Sequence, residues 1–461
     1  MIEVSVSDII TATGGELLEG EARTVVKGFC ADSRKDVKGR FFIALKGASF
    51  DGHDYLDGVI AQGASGVIMR KDSARVKNIT GRAVTVVLVD DTMECMGRLA
   101  GYIRKRVRIP VACVTGTNGK TSVKEILSHL LSAEYNVLKS EKSYNNIIGL
   151  SLTLFNLEDH HEAMVLELGT NHPGEISELS GIAKPDIGVI TNIGCGHLES
   201  FYDREGVYKE KITLIDSLPS GGTAVLNNDD DYLSRAGGIK CKKEYYGMKY
   251  GSSFRISDVA RKEKGYEFAL NGNTLYIPFD GIHNVYNAAC AASAALIMGI
   301  PYAAVKERLT GAPLPGMRLE PVDLGNIIFI NDSYNANPDS FECALNVLRE
   351  KYPRARKGVV AGDMLELGYR SDDLHRKAGR SVYNHGIDFL VTVGDKARFI
   401  AEGAVEEGMK TDFVLHAENH RDAAEKVRFM ASAEKTVVLL KASRAAKMEE
   451  VLKCFTTCYT H

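Results

Sequence analysis

The sequence predicts an α/β protein of three units, two of them built on mostly parallel sheets. Three observations carry this. Near-continuous apolar runs of strand length alternate with helical patterns, and the alternation restarts once; such runs belong to strands buried on both faces. The chain has 461 residues, too many for one hydrophobic core. Two stretches read as connectors, the basic string RKRVR before Pro110 and GAPLPG at 311–316.

Taken in order, the first unit (1–107) is a small α/β domain. It contains the β-rich runs FFIALKG (41–47), GVIM (66–69) and TVVLVD (85–90). A helix is expected from Thr92 to Arg106, where Met93, Met96, Leu99, Ala100 and Ile103 recur at helical spacing.

The second unit (108–313) opens with VACVT (111–115) and continues with MVLELG (164–169), IGVITNIG (187–194) and TAVLNN (223–228). This pattern predicts a P-loop-type, mostly parallel sheet with helices on both faces. The stretch 243–280 alternates polar with apolar residues and reads as antiparallel strands appended to that sheet, followed by a small-residue helix over 283–299.

In the third unit (314–461) the strands are IIFINDSY, GVVAGDM, FLVTVGD and TVVLLKAS, with helices over 338–350 and 418–431 between them. This is a Rossmann-like α/β pattern.

Composition narrows the function classes. Apolar residues are 44%, charged residues 25% and the formal net charge is -3, the profile of a globular protein with no basic field for nucleic acid. The nine cysteines show no CxxC spacing, and only Cys454 and Cys458 lie close in sequence, so a reduced, cytoplasmic chain is expected. MIEVSVSDII has no signal-peptide pattern, and no apolar run is long enough to span a membrane.

The sharpest local signal is Val114-Thr-Gly-Thr-Asn-Gly-Lys-Thr121, an apolar strand running into two glycines and then an amphipathic helix. Gly116 and Gly119 let the backbone turn its N–H groups toward phosphate oxygens, with Thr117 and Asn118 between them. The start of the helix adds its positive end. Lys120 can reach the β/γ-phosphates and the Thr121 hydroxyl can ligate Mg²⁺. Val114 stands where the strict GxxxxGK[ST] pattern has glycine, so the loop is a shortened variant.

Downstream, Glu167 in VLELGTN would be a costly buried charge unless paired or metal-bound. His197 follows a Gly-Cys-Gly turn, and Lys211 lies in a helix among Ile212, Leu214 and Ile215. Singly, such residues are more often structural. The phosphate loop gives Glu167 and His197 weight, since it calls for a hard cation with oxygen ligands.

The motifs GTNGKT (116–121), LELGTNHPGEI (166–176), ITNIGCGHLESF (190–201), HNVYNAA (283–289), PGMRLE (315–320), NDSYNANPDS (331–340) and GDMLELG (362–368) occur in an order that resembles the Mur ligases. YNNIIG (144–149) and DSRKDVKGRFFIALKGASFDGHDY (32–55) extend the similarity over nearly the whole chain. The last two motifs of the series and YNNIIG resemble the branch that joins D-alanyl-D-alanine to UDP-N-acetylmuramoyl-tripeptide.

That resemblance implies ATP and Mg²⁺ as cofactors, an acyl-phosphate intermediate, and a monomeric cytoplasmic enzyme. It implies that Lys120 stabilises the transferring phosphate, that Thr121 and Glu167 hold one Mg²⁺ and that His197 holds a second. A carbamylated lysine is implied near this second metal; Lys209 and Lys211 are both in range, and counting from His-Leu-Glu selects Lys211. Asn284 would face the adenine, Arg318 the γ-phosphate, and Asp332 the ribose or phosphates. Tyr144, Asn145, Asn146 and Asn335 would contact the substrates, with Ser33 and Arg34 on the uridine nucleotide. Asp332 and Asn335 also read as turn residues after a strand. The alternative is a related Mur or folylpolyglutamate-type ligase with another acceptor. With three substrates to assemble, the outer domains are expected to close on the central one about hinges near 106–110 and 311–316.

Overall fold

The computed structural model describes residues 2–47, 49–238, 240–431 and 435–457. Cys458, close in sequence to Cys454, lies outside them.

The middle of the chain forms a nine-stranded sheet. Its parallel heart runs, in spatial order, Val137–Lys139, Ala163–Glu167, Val111–Thr115, Ile187–Ile190 and Thr223–Asn227. Alternate side chains of these strands enter two different cores. Val111, Cys113, Met164 and Leu166 join the one shared with the helix Thr92–Lys105. Ala112, Val114, Ala163 and Val165 join the one packed by the helices Lys120–Leu131 and Ile282–Ile297. Burial on both faces is why these strands read as unbroken apolar runs.

The order also fixes the site. Val111–Thr115 sits between Ala163–Glu167 and Ile187–Ile190; the chain runs from it to Val137–Lys139 on one side, returns to Ala163–Glu167, and then crosses to Ile187–Ile190 on the other. A crevice opens at such a switch point, outside the carboxyl ends of the strands. The phosphate loop, residues 168–172 and residues 191–197 all emerge there.

The expectation of antiparallel strands over 243–280 is corrected in part. Lys242–Gly247 pairs parallel with Thr223–Asn227, and Phe254–Arg261 pairs parallel with its end. Only Tyr266–Leu270 and Asn273–Ile277 are antiparallel additions. Alternating polarity reports a half-exposed face and says nothing about strand direction.

The C-terminal sheet has six strands, five of them parallel, with Glu320–Leu324 as an antiparallel edge. The N-terminal five-stranded sheet is parallel apart from its edge strand Glu16–Glu19. The strand expected over 41–47 is shorter, Phe41–Ile43. No helix among the described residues is long and apolar enough to cross a membrane.

Candidate active site

The phosphate loop adopts the conformation its glycines permit. Gly116 has φ +146° and Gly119 φ +85°, both in the region that disfavours side chains. A Cβ on Gly116 would also stand 1.9 Å from Thr191 Oγ1. The loop is stitched to the neighbouring strand end: the Thr117 N–H donates to the Asn192 carbonyl at 2.9 Å and the Asn118 N–H to Asn192 Oδ1 at 3.0 Å. Thr191 and Asn192 are thus supports that motif reading did not assign.

Lys120 begins the following helix and curls over the loop, its ammonium donating to the carbonyls of Gly116 (2.8 Å) and Thr117 (3.1 Å). Burial lowers its pKa, opposed by the Glu167 carboxylate.

Glu167 ends its strand and is 1% exposed. Asn145 Nδ2 donates to its Oε1 at 2.9 Å, and the buried Lys124 ammonium stands 4.0 Å from Oε2. Lys124 itself donates to the Ser140 carbonyl at 2.8 Å, tying the 140–145 segment to the phosphate-loop helix. Glu167 Oε2 has no hydrogen-bond partner among the described residues, an expensive state for a buried carboxylate oxygen.

His197 caps the short helix Leu198–Phe201 with φ +56°, and its Nδ1 lies 2.6 Å from the Glu366 carboxylate. Burial lowers the imidazole pKa, opposed by Glu366; Glu366 is lowered chiefly by His197. Lys211 is 1% exposed, and its Nζ has no partner among the described residues. Burial, reinforced by the charge of Lys120, holds its pKa well below the usual lysine value. That favours the neutral amine, the form able to react with CO₂.

Among the described residues no three or more His, Cys, Asp and Glu side chains are grouped to hold a metal ion. Of the residues expected at the metals, the Thr121 hydroxyl, the unpartnered Glu167 oxygen and the His197 imidazole line one cavity, while Lys211, its nitrogen unpartnered, lies outside that lining. A buried carboxylate oxygen and a hydroxyl on one cavity wall suit a hard cation such as Mg²⁺, and a carboxylated Lys211 would supply another oxygen donor.

The C-terminal unit closes over this face. Arg318 donates through NH2 to Thr121 Oγ1 at 3.0 Å, and its guanidinium lies 4.5 Å from the Tyr334 ring centroid. Asn118 and Asn337 exchange amide hydrogen bonds at 2.8 and 3.3 Å, while Asp339 Oδ2 accepts the Cys195 N–H at 2.6 Å. The Glu199 N–H donates to the Glu366 carbonyl at 3.0 Å, anchoring Glu366 beside His197. Between the two units lies a cavity of about 980 Å³, lined by the phosphate loop, Glu167, His197, Asn284, Arg318 and Asp332.

The other expected site residues divide. Asn284 is buried at the cavity wall, accepting from Asn287 Nδ2 at 3.1 Å. Asn146 lines the cavity and caps the helix Ile147–Phe155 through the Gly149 N–H. Tyr144 packs against Gly149. Asn335 lines the cavity while its Oδ1 accepts the Ala336 N–H at 3.0 Å. Asp332 pairs with buried Lys441 at 2.5 Å. Ser33 and Arg34 lie in the N-terminal unit outside the cavity lining, with the exposed Arg34 held bidentate by Asp32 at 2.8 and 2.9 Å. Sequence reasoning missed Glu366, Lys124, Asn192, Asn337 and Lys441. Asn192, Asn337 and Glu366 lay inside recognised motifs, which was the one signal available for them.

Residues 25–104 match the Mur ligase family, catalytic domain; 114–295 match the Mur ligase middle domain; and 317–444 match the Mur ligase, glutamate ligase domain. A Bacillus subtilis (strain 168) relative, UDP-N-acetylmuramoyl-tripeptide–D-alanyl-D-alanine ligase, is 35% identical over 457 residues, with 98% of each chain covered. The crystal structure of MurF from Acinetobacter baumannii superposes with a TM-score of 0.90 at 28% identity, covering 99% of each chain. MurF ligase from Thermotoga maritima in complex with ADP gives 0.81 at 27% identity, covering 94% of this chain and 97% of that one. Three matched domains in order and full-length relatives agree with the site geometry: the chain belongs to the Mur ligase family.

Proposed function

We propose that the protein joins D-alanyl-D-alanine to UDP-N-acetylmuramoyl-tripeptide at the expense of ATP, releasing ADP and phosphate. The observation that carries this is the convergence of the phosphate loop, Glu167, His197 and Arg318 on one cavity between two units. Full-length relatives bearing that activity in their names support the choice of acceptor.

A carboxylate is a poor electrophile, so the reaction must activate it. The tripeptide's terminal carboxylate oxygen attacks the γ-phosphorus and ADP departs, leaving an acyl phosphate. The dipeptide amine then attacks the acyl carbon, loses a proton, and phosphate leaves as the amide forms. Such chemistry depends on positioning and on neutralising phosphoryl charge.

The loop N–H groups and the start of the helix at Lys120 cradle the nucleotide phosphates. Lys120 exchanges its two carbonyl contacts for the transferring phosphate, and Arg318 meets that charge from the opposite wall. Asn284 faces the base, and Ser33 and Arg34 hold the uridine nucleotide on the N-terminal unit. Asn145 keeps the Glu167 carboxylate aimed into the site. Mg²⁺ on Thr121 and Glu167, with a second ion on His197 and carbamylated Lys211, would neutralise phosphoryl charge. Closure of the C-terminal unit keeps water from the acyl phosphate.

The test is phosphate release from Mg-ATP with the two other substrates added separately and together, followed by product mass. Release that requires both, with one dipeptide unit added to the precursor, is expected. Absence of release both with a tripeptide ending in lysine and with one ending in another diamino acid would remove this assignment.

A further inference from the structure

Arg318 sits in a strained place. Met317 has φ +57° and Leu319 φ +53°, left-handed backbone on both sides of the arginine and on residues that disfavour it. Such geometry persists only where surroundings over-determine it, and it collects at functional sites.

The surroundings here form a continuous tie. Lys441, at the end of Thr436–Lys441, is 2% exposed at its side chain, and its ammonium contacts Asp332 Oδ2 at 2.5 Å and the Asn335 carbonyl at 3.2 Å. The other Asp332 oxygen accepts the Leu319 N–H at 3.2 Å. The Tyr334 N–H donates to the Met317 carbonyl at 3.2 Å, while the Tyr334 ring carries the Arg318 guanidinium. Thus one buried ammonium holds the carboxylate that holds the strained turn, and the turn presents Arg318 to Thr121 at 3.0 Å.

We infer that Lys441 is a positioning residue for the ligation. It acts through Asp332 to lock the 317–319 turn, so that Arg318 is held over the phosphate loop before substrates arrive. A buried, charge-assisted contact is strong enough to hold such a turn, and a misplacement of about 1 Å at a charge-neutralising group can cost about 10²-fold in rate. The inference rests on the ligase reading only for its kinetic arm.

Two measurements test it on the full chain. First, hydrogen–deuterium exchange across 316–320 without substrates: Lys441→Met should raise exchange there while the sheet strands stay protected. Second, a double-mutant cycle with Arg318→Ala under saturating ATP, tripeptide precursor and D-alanyl-D-alanine. Lys441→Met should lower kcat about 10–100-fold with substrate KM values nearly unchanged, and add little on the Arg318→Ala background.

Removing one charge strands the other, so Lys441→Met with Asp332→Asn is the second variant. Its amide oxygen can still accept the Leu319 N–H, but the ionic tie is gone, and the same non-additivity is expected. Unchanged exchange at 316–320, multiplicative losses with Arg318→Ala, or a KM rise without a kcat fall would overturn the inference. So would failure of both variants to fold, which would make the pair a folding determinant. A wild-type enzyme that shows no turnover would refute the ligase reading, while the exchange arm still decides the tie.

Discussion

The two walls of the cavity hold their charges by different means. On the central wall, Lys120 stands on a turn whose left-handed positions are glycines, Gly116 and Gly119, so the backbone reaches its conformation without strain. On the C-terminal wall, Arg318 stands on a turn whose left-handed positions are Met317 and Leu319, and the conformation is held by Lys441 and Asp332. One wall is specified locally and the other by contacts distant in sequence. The first therefore survives as a short motif, whereas the second can be broken from over a hundred residues away.

The largest loss is expected at Lys120. Lys120→Ala should lower kcat about 10²–10³-fold with the fold retained, the scale of losing one charge-neutralising donor; steady-state kinetics with circular dichroism checks this. Gly116→Ala attacks the same wall through the backbone. With φ +146° and a Cβ 1.9 Å from Thr191 Oγ1, it should cost about 1–3 kcal/mol and weaken ATP binding, read by thermal unfolding with and without nucleotide.

His283, where the two units meet, gives a pH signature. Burial holds its imidazole down at about 4 from 6.5, with Asp332 and Glu350 opposing and Lys441 reinforcing. The unfolded chain takes up the proton first as pH falls. This contribution to stability is therefore intact above about 6.5 and lost progressively down to about 4. His283→Gln should reduce the stability difference between pH 7 and pH 5 by about 1–2 kcal/mol, measured by denaturant titration at both pH values.

Smaller effects sharpen the contrast. Asn337 caps the helix Pro338–Lys351 and exchanges hydrogen bonds with Asn118. Asn337→Ala should cost about 1 kcal/mol of stability, the usual worth of a cap, visible as a lowered melting temperature. Arg34→Ala removes an exposed side chain paired, among the described residues, with Asp32. It should leave stability within about 0.5 kcal/mol while raising KM for the uridine-linked precursor and sparing KM for ATP.

Much of this was legible in the sequence because it is local. The parallel strands announced themselves as apolar runs, and the phosphate loop as two glycines, a lysine and a threonine between a strand and a helix. Glu167 stood out as a carboxylate inside such a run, and its unpartnered oxygen shows why. The direction of the strands over 242–261 was not legible, because polar alternation records exposure of one face and not the path of the connection.

The α/β class, the loop chemistry and the family motifs are written in the order of the residues, since each depends on neighbours close along the chain. The tertiary structure alone brings Glu366 to His197, Asn337 to Asn118 and Lys441 to Asp332. Those partners are 169, 219 and 109 positions apart. The reason is physical: a side chain's partner across two sheets is set by strand order and by how the units seat on one another, and neither leaves a periodic trace in the chain.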